Sequence, residues 1–227
     1  MAKVSKNYTA KDSVVDLVNE DYNILPVLSR FSLPLGFGNG SVGDLCREAN
    51  IDVNVFLLVV NFLLSGEIDE SLLGAVSPLD VVKFLHNSHD YYLSYKFPHI
   101  RANLLNALDD SHQDINPIIV KFFDDYIDLV RHHFEYEEKV VFPYVKTLQE
   151  GQHSKYTIEV FRRQHDDDVE EKLSELKNII LRYYTTAMPY KMYDVLVDIY
   201  NCEEDLASHA LIENKMLVPI ISKIERQ

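Results

Sequence analysis

The sequence predicts an all-α protein: an up-down-up-down four-helix bundle over residues 78–224, a small N-terminal helical domain over 12–64, and a linker over 65–77. Three observations predict it. Apolar residues recur at helical spacing along four long stretches with short polar connections. No alternating strand pattern runs beyond a few residues. Only 7 Gly and 8 Pro punctuate 227 residues, which favours long helices.

In chain order, residues 1–11 are polar. Val14, Val15, Leu17 and Val18, then Ile24, Leu25, Val27 and Leu28, give two short helical stretches, with Pro26 near the first turn of the second. F-S-L-P-L-G-F-G-N-G-S is the strongest loop signal in the chain. Ser41 reads as the N-cap of a helix over Val42–Ala49, and Asp52 as the cap of another running to about Leu64. Ser77, Pro78 and Asp80 open the first bundle helix, which Pro98 should kink or interrupt before it continues over Ile100–Leu108. A helix over Ile118–Leu148 follows and breaks at Glu150-Gly151-Gln152. The third runs through Ile158, Phe161, His165, Val169, Leu173, Leu176 and Ile180. The fourth runs through Leu196, Ile199, Cys202, Leu206, His209, Glu213, Met216 and Ile220.

Composition excludes several function classes. Net charge is −14, so nucleic acid and anionic membrane are disfavoured as partners. The longest apolar run, Val53–Leu64, is too short to span a bilayer and is broken by Asn54 and Asn61. No signal-peptide core is present at the N-terminus. Two distant cysteines, Cys46 and Cys202, form no disulfide framework, which points to a reduced, cytoplasmic setting. G-F-G-N-G lacks the Lys-Ser/Thr of a phosphate loop.

The chemistry sits on the bundle helices. Each carries a His on its apolar face: His89, His133, His165 and His209. Two add a Glu one turn later, His133 with Glu137 and His209 with Glu213, and each such cassette is followed by a further acidic or amide residue and, a turn later, by an apolar residue and Pro. A lone His on an apolar face is more often packed than ligating. Four of them, two with the same Glu offset, are hard to explain by packing, which would select Leu. Two Glu can bridge a metal pair, each metal then taking two His and two carboxylate oxygens with an oxo, hydroxo or water bridge. That donor set suits iron, and also manganese or zinc. His86 competes with His89 for ligand status, whereas His132 should leave the core face. His99, His112 and His153 fall at turns. Asp168 lies on the His165 side as a candidate outer partner. Tyr92 and Tyr136 flank ligand positions, for packing or with a hydroxyl toward the metals.

H-D-Y-Y-L-S-Y-K-F-P-H-I, H-F-E-Y-E-E-K-V-V-F-P, Q-H-D-D-D and H-A-L-I-E-N-K-M-L-V-P resemble the four helix motifs of hemerythrin-like (HHE) cation-binding domains, and most closely the RIC/ScdA/YtfE-type proteins named for repair of iron centres. The resemblance implies two irons held by His89, His133, Glu137, His165, His209 and Glu213, with the two Glu bridging. Oxygen-carrying hemerythrins have a further His on the third helix where this chain has Val169. That argues for a more open, reactive site than a reversible carrier's. Residues 12–64 are similar to the subgroup's N-terminal domain, but Leu35-Gly36-Phe37-Gly38 replaces its Cys-Cys pair. This module is then left with dimerisation or partner docking.

Two functions follow as expectations. One is a non-haem di-iron protein of the nitrosative or oxidative stress response, acting in iron–sulfur cluster repair by iron donation or NO handling, with iron–sulfur proteins as partners. The other is an O2 or NO sensor without turnover, favoured by the lack of any evident catalytic acid or base beyond the ligands. A zinc-bound or metal-free helical scaffold is the bland third.

Overall fold

The computed structural model describes residues 7–152, 154–164, 168–186 and 188–226. Among them no strand forms, and an isolated antiparallel bridge joins Ser13 to Ser41. The fold is all-α.

The N-terminal helices begin where their caps dictate. In α1 (Val14–Glu20) the Ser13 side chain accepts from the Asp16 N–H. α2 (Ile24–Arg30) follows without a side-chain cap. α3 (Val42–Glu48) opens on a capping box: Ser41 accepts from the Asp44 N–H, and Asp44 accepts from the Ser41 backbone. α4 (Val53–Ser65) is capped by Asp52 and ends at Gly66, whose φ of 76° suits a residue without Cβ. Asn61, in the apolar run of α4, is buried, and its amide bonds the Tyr8 N–H (2.8 Å) and carbonyl (2.9 Å). That pairing removes the cost of burying it. Residues 65–77 contain one short helix, α5 (Glu70–Leu73), capped by Asp69.

Four rods follow. The first is α6 (Pro78–Tyr91), a π turn (Tyr92–Lys96) and α7 (Phe97–Ala107). The second is α8 (Asn116–Tyr136), a π turn (Glu137–Val141) and α9 (Phe142–Gln149). The third comprises α10 (Ile158–Gln164) and α11 (Asp168–Tyr183). The fourth is α12 (Pro189–Ile212), a π turn (Glu213–Leu217) and α13 (Val218–Ile224). Helix α7 packs on α8, α8 on α11, α11 on α12, and α12 back on α7. Helix α6 meets α9, and α10 meets α13. The start of each rod thus lies against the end of the next, which is the up-down-up-down order.

The sequence leads one to expect a kink or an interruption at Pro98 and uninterrupted helices past Pro143 and Pro219. The structure instead has three wide turns, each followed one residue later by Pro98, Pro143 or Pro219. Proline has no N–H, and its ring would strike the carbonyl four residues back. The residue before each proline bonds five residues back: Phe97 N–H to the Tyr92 carbonyl, Phe142 to Glu137, and Val218 to Glu213.

Two apolar clusters form the core. One joins the N-terminal helices to one end of the bundle through Leu17, Leu28, Phe56, Phe84, Val145 and Ile221. In it the Phe31 ring of the segment after α2 packs 4.7 Å from Phe84 of α6. The other fills the opposite end of the bundle with Phe97, Phe123, Tyr126, Leu176 and Ile199. No helix among the described residues is long and apolar enough to cross a membrane.

Candidate metal centre

Between the two clusters lies a buried polar layer. His89 occupies the last turn of α6, His133 that of α8 and His209 that of α12. Glu137 and Glu213 are each the first residue of a π turn, four residues after their His. The ligand atoms of His89, Glu137, His209 and Glu213 all lie within 4.8 Å of one another, and all four residues are buried. His133 Nε2 is 2.7 Å from Glu137 Oε1, so it joins the same group, with its side chain 25% exposed. His209 Nε2 is 3.0 Å from Glu213 Oε1.

Aromatic packing fixes the imidazoles. The His89 ring stacks on Phe134 (centroids 4.0 Å apart) on one side and lies parallel to Phe142 (5.4 Å), one ring from each core cluster. His209 sits 5.3 Å from His89, 5.5 Å from Phe134 and edge-on to Tyr92 at 5.9 Å.

This arrangement fits a cation. His89 Nδ1 lies 2.7 Å from Glu138 Oε1, and an ionised carboxylate can only accept, which places the His89 proton on Nδ1. The lone pair of Nε2 then faces Glu137 Oε2 at 2.8 Å. Two acceptors at that distance repel unless a cation lies between them or His89 is protonated. Among the described residues, His89 Nε2 and both ring nitrogens of His209 make no hydrogen bond although buried. Uncompensated polar groups in an apolar core are costly, and coordination removes that cost. Burial lowers the His133 pKa and the Glu213 charge opposes this, so the neutral, ligating form is favoured.

Of the six residues expected as ligands, five are thus gathered: His89, His133, Glu137, His209 and Glu213. His165 lies outside the described residues, as do Asp166, Asp167 and His153, and the side chains of Asp168 and Val169. His86 is not in the cluster; its side chain is 56% exposed and bonds Glu138. His132 turns outward, with Nδ1 on the Asp128 carbonyl. His99 differs from the expectation of a turn: it lies within α7, half exposed, 3.8 Å from Asp198. Tyr92 and Tyr136 give their hydroxyls to other partners, Arg30 (3.0 Å) and Tyr156 (2.8 Å). Burial raises both thiol pKa values, Cys46 to about 11 and Cys202 to about 12, so neither is poised as a nucleophile.

One residue was legible only as the further acidic residue after its cassette, without a role, and another escaped sequence reasoning altogether. Glu138 touches His89 and His86. Its only signal was the Glu-Glu doublet after His133. Arg30, at the end of α2, is 2% exposed, pairs with Asp205 and places its guanidinium 4.8 Å from the ring centres of Tyr91 and Tyr92. Nothing in its local sequence marks it as buried.

A search among curated proteins finds no match to the chain. The model of the hemerythrin HHE cation-binding domain matches residues 80–221, a span that contains every residue of the cluster. With more than half of its 227 residues in that match and its buried His and Glu gathered as a cation requires, the chain belongs to the hemerythrin HHE cation-binding domain family.

Proposed function

We propose that this is a non-haem di-iron protein of the nitrosative or oxidative stress response, working in the cytoplasm to repair iron–sulfur clusters by donating iron or handling NO. The observation that carries the reading is the convergence of His89, Glu137, His209 and Glu213 from three rods, with His133 against Glu137. Imidazole with carboxylate is an iron donor set, and a carboxylate, with two oxygens, could serve two ions. Bound there, a pair of irons would supply one-electron redox chemistry and coordination positions for NO or O2. The chain's own residues would hold the ions and exclude water through Phe134, Phe142 and Tyr92. The test is Glu137→Ala in the full chain, measuring iron per chain and recovery of a damaged iron–sulfur enzyme. Loss of most iron and of recovery is expected. A variant that still holds two irons and restores the enzyme defeats the reading.

A sensor of O2 or NO is the second reading, favoured by one contact. Arg30 of the N-terminal helices bonds Tyr92, whose ring lies against His209. Stoichiometric NO binding that alters protection of α2 from hydrogen exchange would favour it, whereas steady NO consumption with reductant would count against it.

A further inference from the structure

We propose that Glu138 is a positioning residue for the metal centre: braced by exposed His86, it fixes the tautomer and ring plane of His89 so that Nε2 is presented to the cation. This rests on the reading of the cluster as a metal site. His86 and His89 lie three residues apart on α6 and so share a face. Both turn Nδ1 to one oxygen, Glu138 Oε1, at 2.8 and 2.7 Å. That oxygen has two lone pairs and can accept from both. Glu137, the neighbour of Glu138 in the π turn, meets the other nitrogen of the same ring, with Oε2 2.8 Å from His89 Nε2. Consecutive residues of an α-helix diverge by about 100°. Here two adjacent carboxylates address the two nitrogens of one imidazole, the inner at 0% side-chain exposure and the outer at 33%. His89 is thus held at Nδ1 by Glu138 and in plane by Phe134 and Phe142. Its remaining lone pair is directed into the cluster, and a carboxylate at the far nitrogen makes the imidazole a stronger donor.

The test loads the full chain anaerobically with iron(II) and follows release to excess chromogenic chelator. Glu138→Ala should release iron about 10–100-fold faster than the unchanged chain, the usual size of an outer-shell effect. Glu138→Gln should recover part of that loss, because its amide oxygen can still accept from both imidazoles. Metal-free E138A should lose clearly less stability in urea than its fall in iron affinity, since the Glu138 side chain is part-exposed and water can take its place at His89 Nδ1. Release from E138A at the parent rate, or no recovery in E138Q, overturns the proposal. So does a metal-free E138A destabilised as much as its affinity falls, which would make Glu138 a plain structural brace. A parent chain that takes up no iron instead overturns the reading of the site itself.

Discussion

The Arg30–Asp205 pair supports a quantitative prediction about how the N-terminal helices are held to the bundle. The Arg30 side chain is 2% exposed and that of Asp205 is 23% exposed. Arg30 also donates to Tyr92 and lies over two tyrosine rings. Burial opposes its charge, and Tyr92 and Asp205 more than offset this, so its pKa ends above the ordinary value. Arg30→Ala removes one charged hydrogen-bonded pair, worth about 1.5–3 kcal/mol, and two ring contacts of about 0.5–1 kcal/mol each. It leaves Asp205 behind, but water reaches that carboxylate, so the net loss should be about 3 kcal/mol, the low end for breaking a buried pair. Asp205→Ala strands the guanidinium where water does not reach, and should cost more, about 4–5 kcal/mol. The double variant should cost less than the sum of the two, with a coupling on the order of 2 kcal/mol. Urea unfolding of the metal-free chains measures all four corners. Tyrosine fluorescence, from 14 Tyr and no Trp, and far-UV circular dichroism give two probes whose agreement checks two-state behaviour. Additive single variants, or Arg30→Ala costing more than Asp205→Ala, would refute the reasoning.

Two further outcomes are expected. Glu213→Gln should raise the melting temperature of the metal-free chain, because it removes one of two carboxylates buried together, and lower that of the iron-loaded chain. An effect on the order of 1 kcal/mol is about 2–4 °C for a chain of this size, and scanning calorimetry with and without chelator should show opposite signs. Hydrogen bonds from Ser41 and Arg47 hold the Asp44 carboxyl below its usual pKa. A carboxylate depressed in the folded state stabilises above its unfolded pKa and loses that contribution as pH falls. The stability gap between the parent and Asp44→Asn should therefore narrow below about pH 4, and a gap constant from neutral pH into acid would contradict the cap's role.

The fold was legible where side chains act locally. Ser41, Asp52 and Ser77 cap the helices their positions suggest, because a cap needs only its own first turn. The ligand helices were legible because His133/Glu137 and His209/Glu213 repeat one spacing on an otherwise apolar face. The π turns were not. Proline signalled a disturbance near residue 98, but a kink and a wide turn satisfy its missing N–H equally well in sequence terms, and Pro143 and Pro219 drew no such reading. The roles of Glu138 and Arg30 were illegible for a different reason. Their partners His86, His89, Tyr92 and Asp205 lie on other helices, 49 to 175 residues away in the chain. No periodicity carries that information.

The position of the polar layer links stability to metal. The cluster lies where the two apolar cores meet, and its residues come from the first, second and fourth rods. In the metal-free chain these groups interrupt the core at its middle, and a cation would turn the same interruption into a cross-link between rods. Besides the shared apolar cluster, one guanidinium of the N-terminal helices contacts both the first and the fourth of those rods. Of Arg30's partners, Tyr92 lies three residues after His89, and Asp205 four residues before His209. Arg30 bridges those two residues, with its side chain buried against the rings of Tyr91 and Tyr92. The N-terminal helices are thus tied by Arg30 to the two residues that neighbour His89 and His209 in the chain.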